Sequence, residues 1–340
     1  MAIKNNINID KNSIMIKNYF ETAIFKQLHN LEIKNERLCV AVSGGSDSLA
    51  LILALNFLKT ILNIDILAVL VNHNLRPEAG EEIKQTIKTL EKFHINYIVK
   101  EWDGKYQKNL EAEARKNRYK LLFSVCKDYN IKYLCIGHHI DDQVETFLLN
   151  VARGSGLDGM CAMPKIISVN GIKIIRPMLE LSKQECRKYL TQLNVKWCED
   201  KSNQNIKYKR NKLRFLLEQI EDRDLITKRV ASAVSTLQEV KDVVDDVIDN
   251  ILTNKEIILF NKDNNEFVIK QEEFLKLKLY IQKSIITKII IKITNREYKL
   301  RLYQIENILD SIKNKEQFKR TLSGCIIEMK KGCIKIYKMV

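Results

Sequence analysis

From residue 38 to residue 195 the chain alternates short apolar runs with longer stretches in which apolar positions recur every three or four residues. That is the pattern of β-strands separated by amphipathic helices. The runs Leu38–Val42, Ile66–Val71, Asn96–Val99, Tyr133–Gly137 and Ile172–Ile175 predict strands. Ser46–Lys59, Glu78–Phe93, Leu110–Asp128, Asp141–Ala152 and Ser182–Leu193 predict helices, with a leading helix over Ser13–Asn30. The strand runs are apolar at successive positions rather than alternate ones, so both faces of the sheet need cover. The fold class this implies is α/β, a Rossmann-like parallel sheet with helices on both faces.

The pattern changes after Trp197. Between Thr191 and Arg214 seven basic residues (Lys196, Lys201, Lys207, Lys209, Arg210, Lys212, Arg214) stand against two acidic ones, Glu199 and Asp200. A helical stretch without strand character covers Asp222–Leu252, and a mixed segment begins at Glu256. There Glu266–Lys270 predicts a strand, Glu272–Ile291 and Leu302–Lys313 predict helices, and Cys325–Met329 pairs with Cys333–Tyr337 as a hairpin around Lys330-Lys331-Gly332. The 340 residues exceed what one core usually serves. The expected division is a first domain over 1–220, a helical linker over 221–255 and a small α+β domain over 256–340.

The formal charge of +15 persists against 42 acidic residues and favours a polyanionic partner, because neutralised phosphates release counterions. The eight cysteines include no C-x-x-C and no zinc-ligand spacing, and most lie in apolar runs where a reduced thiol acts as a small hydrophobe. The N-terminus lacks a signal pattern, and no apolar run approaches the roughly 20 residues that span a bilayer. A soluble, reduced, cytoplasmic chain without a membrane partner is expected.

The sharpest local signal is Ser43-Gly44-Gly45-Ser46-Asp47-Ser48, between a predicted strand and a predicted helix. Two glycines permit a tight turn whose N–H groups converge on an anion, and the helix N-terminus adds its own unpaired donors. Asp47 is suited to hold magnesium. No lysine follows, so this is not a Walker A loop. Arg115 and Arg118 share a helix face and suit phosphate. His138, Asp142 and Glu145 can orient magnesium or accept a proton, while Asp141 reads as a helix N-cap.

The hexapeptide resembles the phosphate loop of the PP-loop (N-type) ATP pyrophosphatases, and four further segments narrow the resemblance to the tRNA lysidine synthetases. Val71-Asn72-His73-Asn74-Leu75-Arg76 is similar to their V-[ND]-H-x-L-R. Asn109-Leu110-Glu111-Ala112-Glu113-Ala114-Arg115, with Arg118-Tyr119, resembles their N-x-E-A-x-A-R-x-x-R-Y helix. His138-His139-Ile140-Asp141-Asp142-Gln143-Val144-Glu145-Thr146, running on to Arg153-Gly154-Ser155-Gly156, resembles H-H-x-D-D-Q-x-E-T. Arg176-Pro177-Met178-Leu179, Asp200-Lys201-Ser202-Asn203, Tyr208, Arg210-Asn211 and Arg214 resemble R-P-L-L and D-x-S-N…Y-x-R-N-x-[IL]-R. All stand in family order over residues 38–214.

The resemblance implies a catalytic PP-loop domain over 1–220 and an accessory tRNA-binding domain over 256–340. It implies ATP held by Ser43, Gly44, Gly45, Ser46, Asp47 and Ser48 with Asn72 and His73, and Mg2+ on Asp47. Catalytic roles fall to Asp47, Arg115, Asp142 and Arg210; tRNA or lysine contacts fall to Arg118, His138, Glu145, Arg153 and Arg214. The implied partners are tRNA(Ile) with a CAU anticodon and free L-lysine, and a homodimer is compatible with the chain. A PP-loop tRNA thiolase and a non-catalytic nucleotide-sensing RNA-binding module are the alternative readings. The absent C-x-x-C weighs against the first, and the full run of polar clusters against the second.

Overall fold

The computed structural model describes residues 16, 18–72, 79–102, 110–199, 209–262, 264–295, 300, 302–315 and 317–339. The chain divides into two compact units, Met1–Gln238 and Glu239–Val340.

In the first unit β1 (Arg37–Val42), β2 (Asp65–Asn72), β3 (Tyr97–Glu101), β4 (Tyr133–Cys135), β5 (Ile166–Val169) and β6 (Ile172–Ile175) form one sheet in the order β3-β2-β1-β4-β6-β5. The first four pairings from β3 to β6 are parallel, and β5 runs antiparallel to β6. The expected parallel sheet therefore ends in an antiparallel edge hairpin. Its turn is Asn170-Gly171, both at positive φ (52° and 80°), the geometry that a two-residue hairpin loop prefers. That dipeptide was the signal for the extra strand.

Helices α1 (Tyr19–Asn30), α2 (Ser46–Leu62), α3 (Ala79–Lys92), α4 (Leu110–Asp128), α5 (Ile140–Val151), α6 (Leu157–Met160), α7 (Lys183–Gln192), α8 (Lys209–Glu218) and α9 (Arg223–Thr253) complete the unit, with the unit division falling inside α9. Leu38, Val40 and Val42 of β1 face a core shared with α1, α2 and α7, whereas Cys39 faces a second core with Leu122, Val125 and Cys126 of α4. Successive residues of one strand thus serve opposite layers, which is why the runs carry no polar alternation. Helix α2 is buried continuously from Leu49 to Leu55, as a helix apolar on every side must be. It fixes the phosphate loop at its N-terminus to the buried core of the first unit. A Leu→Ala change there costs about 2–5 kcal/mol.

The second unit holds an antiparallel sheet of β7 (Ile258–Asn261), β8 (Glu266–Lys270), β9 (Phe318–Leu322), β10 (Cys325–Lys330) and β11 (Cys333–Lys338), ordered β7-β8-β11-β10-β9. The expected β10–β11 hairpin forms, with Lys331 and Gly332 at positive φ. Its core joins Phe267, Ile269, Ile327 and Ile336 of the sheet to Ile285, Ile286 and Ile289 of α11 (Leu279–Thr294) and Ile308 and Ile312 of α12 (Leu302–Asn314). The single helix expected over 272–291 is two, α10 (Gln271–Lys276) and α11. The buried Gln282 amide donates to the carbonyls of Phe274, Leu275 and Leu277, satisfying the end of α10 and making the break stable.

Candidate functional site

β1 and β4 lie side by side at the centre of the sheet, and the chain leaves their carboxyl ends toward helices α2 and α5. In an open α/β sheet this is the crevice where ligands bind. The phosphate loop leaves β1. Gly44 holds φ +84°, and a Cβ built on it would lie 2.5 Å from Thr86 Oγ1 of α3, so both backbone and space require glycine there. Ser48 Oγ accepts from the Ser43 N–H at 3.1 Å and donates to the Gly45 carbonyl at 3.2 Å, tying the turn across itself. Among the described residues the N–H groups of Gly45, Ser46, Asp47 and Ser48 find no acceptor. Four such donors at the start of a 17-residue helix form an anion seat.

Gly137, at the end of β4, was not singled out by the motif. A Cβ there would stand 3.1 Å from the Asp47 carbonyl carbon and 3.2 Å from the Ser48 nitrogen. Glycine lets the next segment, His138-His139, run close against the loop, where any side chain would push the loop backbone back by a few tenths of an ångström. Helix α5 starts at Ile140 with His139 as N-cap, and Asp142 accepts from the His139 N–H at 3.2 Å. Asp141, read from sequence as the cap, is therefore two residues past it. Its carboxylate instead accepts from the Lys183 N–H at 3.0 Å and from Arg223 Nη2 at 3.1 Å.

His139 is the hub that sequence reasoning missed. Its buried imidazole places Nε2 3.6 Å from Asp47 and 3.5 Å from Asp142, while Nδ1 lies 3.2 Å from Asp141. Burial works to discharge the ring, but Asp142, Asp141 and Asp47 outweigh it and raise the pKa to about 10. His139 is thus an imidazolium linking the phosphate loop to α5. Asp47 responds in kind: burial opposes its charge, but His139 and the Ser46 hydroxyl, which donates to it at 2.8 Å, hold its pKa below the ordinary value.

Across the cleft, Asp142 and Glu145 are one turn apart on α5, and Arg210 and Arg214 one turn apart on α8, so both pairs present a single face. Arg210 donates to Glu145 at 2.6 Å and Asp142 at 3.0 Å; Arg214 donates to Glu145 at 2.5 Å and Asp142 at 3.2 Å. Burial would raise the Asp142 carboxyl, yet His139 and then Arg210 keep it depressed. Four carboxylates (Asp47, Asp141, Asp142, Glu145) thereby meet four cations (His139, Arg210, Arg214, Arg223). The network is self-neutral, so nearby cations beyond it remain for a ligand.

Among the described residues such cations include Arg115, Arg118, Arg176 and Lys183. Arg176 Nε donates to His138 Nδ1 at 3.2 Å, which places the neutral ring's proton on Nε2. Burial, then Arg176, Arg115 and Arg210 against the opposing pull of Asp142, push the His138 pKa down to about 3. Arg115 and Arg118 flank the Tyr119 ring at 5.4 and 5.8 Å. Asn72 is buried at the end of β2, where its carbonyl accepts from the Trp102 N–H. Arg153 is set apart: it is exposed past the far end of α5, and a rise of about 1.5 Å per residue puts it roughly 15 Å along the axis from Asp142. His73 and the segment 200–208 lie outside the described residues. Arg223 escaped sequence reasoning altogether, since nothing local marks a partner 82 residues from Asp141.

Residues 17–220 match the model of a family described as the PP-loop domain. The chain is 34% identical over 304 residues to the tRNA(Ile)-lysidine synthase of Wolbachia sp. subsp. Brugia malayi (strain TRS), covering 87% of this chain and 69% of that protein. It is 36% identical over 307 residues to the enzyme of the same name from Wolbachia pipientis wMel, covering 86% of this chain and 68% of that one. Among solved structures it is similar to the U34-tRNA thiolase NcsA from Methanococcus maripaludis, with a TM-score of 0.55 and 19% identity, over 65% of this chain and 78% of that one. That last likeness concerns the fold alone.

Proposed function

The chain belongs to the PP-loop family and, within it, to the tRNA(Ile)-lysidine synthases, and from that premise we propose how its residues divide the ligation of lysine to a tRNA cytidine. The enzyme uses ATP to join the ε-amine of free lysine to C2 of the wobble cytidine of tRNA(Ile) bearing a CAU anticodon, which changes decoding from AUG to AUA. The observation carrying this reading is the row of four N–H groups from Gly45 to Ser48, without an acceptor among the described residues and joined through His139 to the arginine-clamped Asp142.

ATP lies with its β- and γ-phosphates on the loop amides. The cytidine C2 oxygen attacks the α-phosphorus, and the bond to the bridging oxygen of pyrophosphate breaks. The loop N–H groups and Arg115 and Arg118 stabilise the charge that collects on the departing pyrophosphate. Lysine loses its ammonium proton to solvent water, the free amine attacks C2, and AMP leaves with the former C2 oxygen. Asp142, held as a carboxylate by His139 and the arginines, is a weak proton acceptor; with Glu145 it fixes Arg210 and Arg214 beside the reacting groups. His138, neutral with its proton on Nε2, donates to the cytidine oxygen or to AMP.

Asp47 would hold magnesium. Its side chain is 30% exposed, and among the described residues no group of three or more metal-ligating side chains is assembled. That suits an ion bound through one or two carboxylates plus substrate phosphates, where it would screen phosphate charge. The basic run around α8 favours the tRNA backbone, and recognition of an unstacked anticodon loop is the usual mode for RNA. No helix among the described residues is long and apolar enough to cross a membrane, which accords with a cytoplasmic setting. The test omits lysine: protein, ATP and tRNA alone should accumulate an AMP-bearing tRNA and release pyrophosphate. Asp47→Ala should lower that release at least about 100-fold with tRNA affinity retained; pyrophosphate release independent of tRNA would refute the reading.

A further inference from the structure

Residues 195–199 form a strap that lies on the phosphate loop and belongs to no helix or strand. The Cys198 N–H donates to the Gly44 carbonyl at 2.9 Å. Cys198 also packs on both glycines: its Sγ would be 3.8 Å from a Cβ on Gly44, and its carbonyl oxygen 3.9 Å from one on Gly45. The strap is anchored from two sides. Glu199 accepts from Arg187 of α7 at 2.7 Å and from Trp197 Nε1 at 2.8 Å, and the Cys198 thiol points to Gln85 Oε1 of α3 at 3.7 Å.

Two adjacent glycines leave the peptide between them freer to rotate than any other pair. That peptide is planar and trans, so its N–H points opposite to its C=O. Holding the Gly44 carbonyl toward the strap therefore aims the Gly45 N–H away from it, in line with the unpartnered N–H groups of Ser46, Asp47 and Ser48. We propose that the strap is a positioning element of the phosphate site, its Cys198 main-chain N–H fixing the Gly44–Gly45 peptide so that Gly45 donates to the pyrophosphate of ATP. This rests on the reading of the loop as an ATP site and adds a part of the chain that the loop motif does not contain. The device works through the main chain, so the side chain at 198 matters only for its fit against α3.

The test separates main chain from side chain. Cys198→Pro removes the N–H, and Cys198→Ser keeps it. The loss of one hydrogen bond predicts that Cys198→Pro raises the KM for ATP about 10-fold, while kcat and the KM for lysine stay within about threefold. Cys198→Ser restores the KM for ATP to within about threefold of the parent by the same reckoning. The paired change Arg187→Ala, Glu199→Ala releases the strap at exposed positions and should raise the KM for ATP in the same selective way; it decides the matter if the proline variant fails to fold. A folded Cys198→Pro protein, or the paired variant, whose KM for ATP matches the parent overturns the proposal. A parent protein that binds neither ATP nor inorganic pyrophosphate in calorimetry overturns the reading beneath it instead, so the two failures are distinct.

Discussion

His139→Asn isolates the charge at the centre of the site. Asparagine is a favourable N-cap, so the start of α5 is preserved and only the imidazolium is lost. A folded-state pKa of about 10 against an ordinary 6.5 converts, at about 1.36 kcal/mol per pH unit, to about 5 kcal/mol of stability. The sign follows from the direction: the value is raised on folding, so the contribution is complete below pH 6.5 and disappears as pH rises through 10. At pH 7 about 4 kcal/mol remains, the magnitude expected when one partner of a buried ion cluster is removed. For a unit of this size that lowers the melting temperature by about 10 °C. Thermal and urea denaturation of parent and variant between pH 6 and 10.5 give the difference directly, and subtraction cancels the lysines and tyrosines that titrate in both. A difference under about 1 kcal/mol at pH 7, or one that grows toward pH 10, refutes a charged His139.

Gly44→Ala should raise the KM for ATP and destabilise the loop, because it adds both a left-handed strain of about 1–2 kcal/mol and a clash with Thr86. Adding Thr86→Ala removes the clash alone, so steady-state kinetics should show partial rescue, and full rescue would mean that φ at Gly44 is unimportant. On the acid side, His138 has a folded pKa of about 3, below that of the unfolded chain, so unfolding takes up a proton and stability falls as pH drops from 6.5 toward 3. His138→Gln should flatten that slope in denaturation curves, and an unchanged slope would contradict a neutral His138.

The strands and the phosphate loop were legible because each is written in consecutive residues. Val40 and Val42 announce a covered strand, and Ser43–Ser48 announces a turn into a helix. The ion network was not legible, because its members come from α2, α5, α8 and α9 and meet only in the folded chain. Sequence marked Asp142, Glu145, Arg210 and Arg214 separately, but not that two arginines clamp two carboxylates. It favoured His138 over His139, since adjacent histidines look alike until Gly137 brings one of them against Asp47. Arg153, which the resemblance marked for tRNA, stands exposed beyond the far end of α5 and outside the ion network. In the second unit the break at Leu277 was hidden because the capping group, Gln282, reads as an ordinary helical residue.

The most direct test supplies the purified protein with ATP labelled at the α-phosphate, labelled lysine and tRNA(Ile) carrying a CAU anticodon, and follows nucleotide products and tRNA nucleosides together. The account predicts AMP and pyrophosphate in equal amounts, matched by lysine attached to one cytidine. ATP split to ADP and orthophosphate, or tRNA that never acquires lysine, would contradict it.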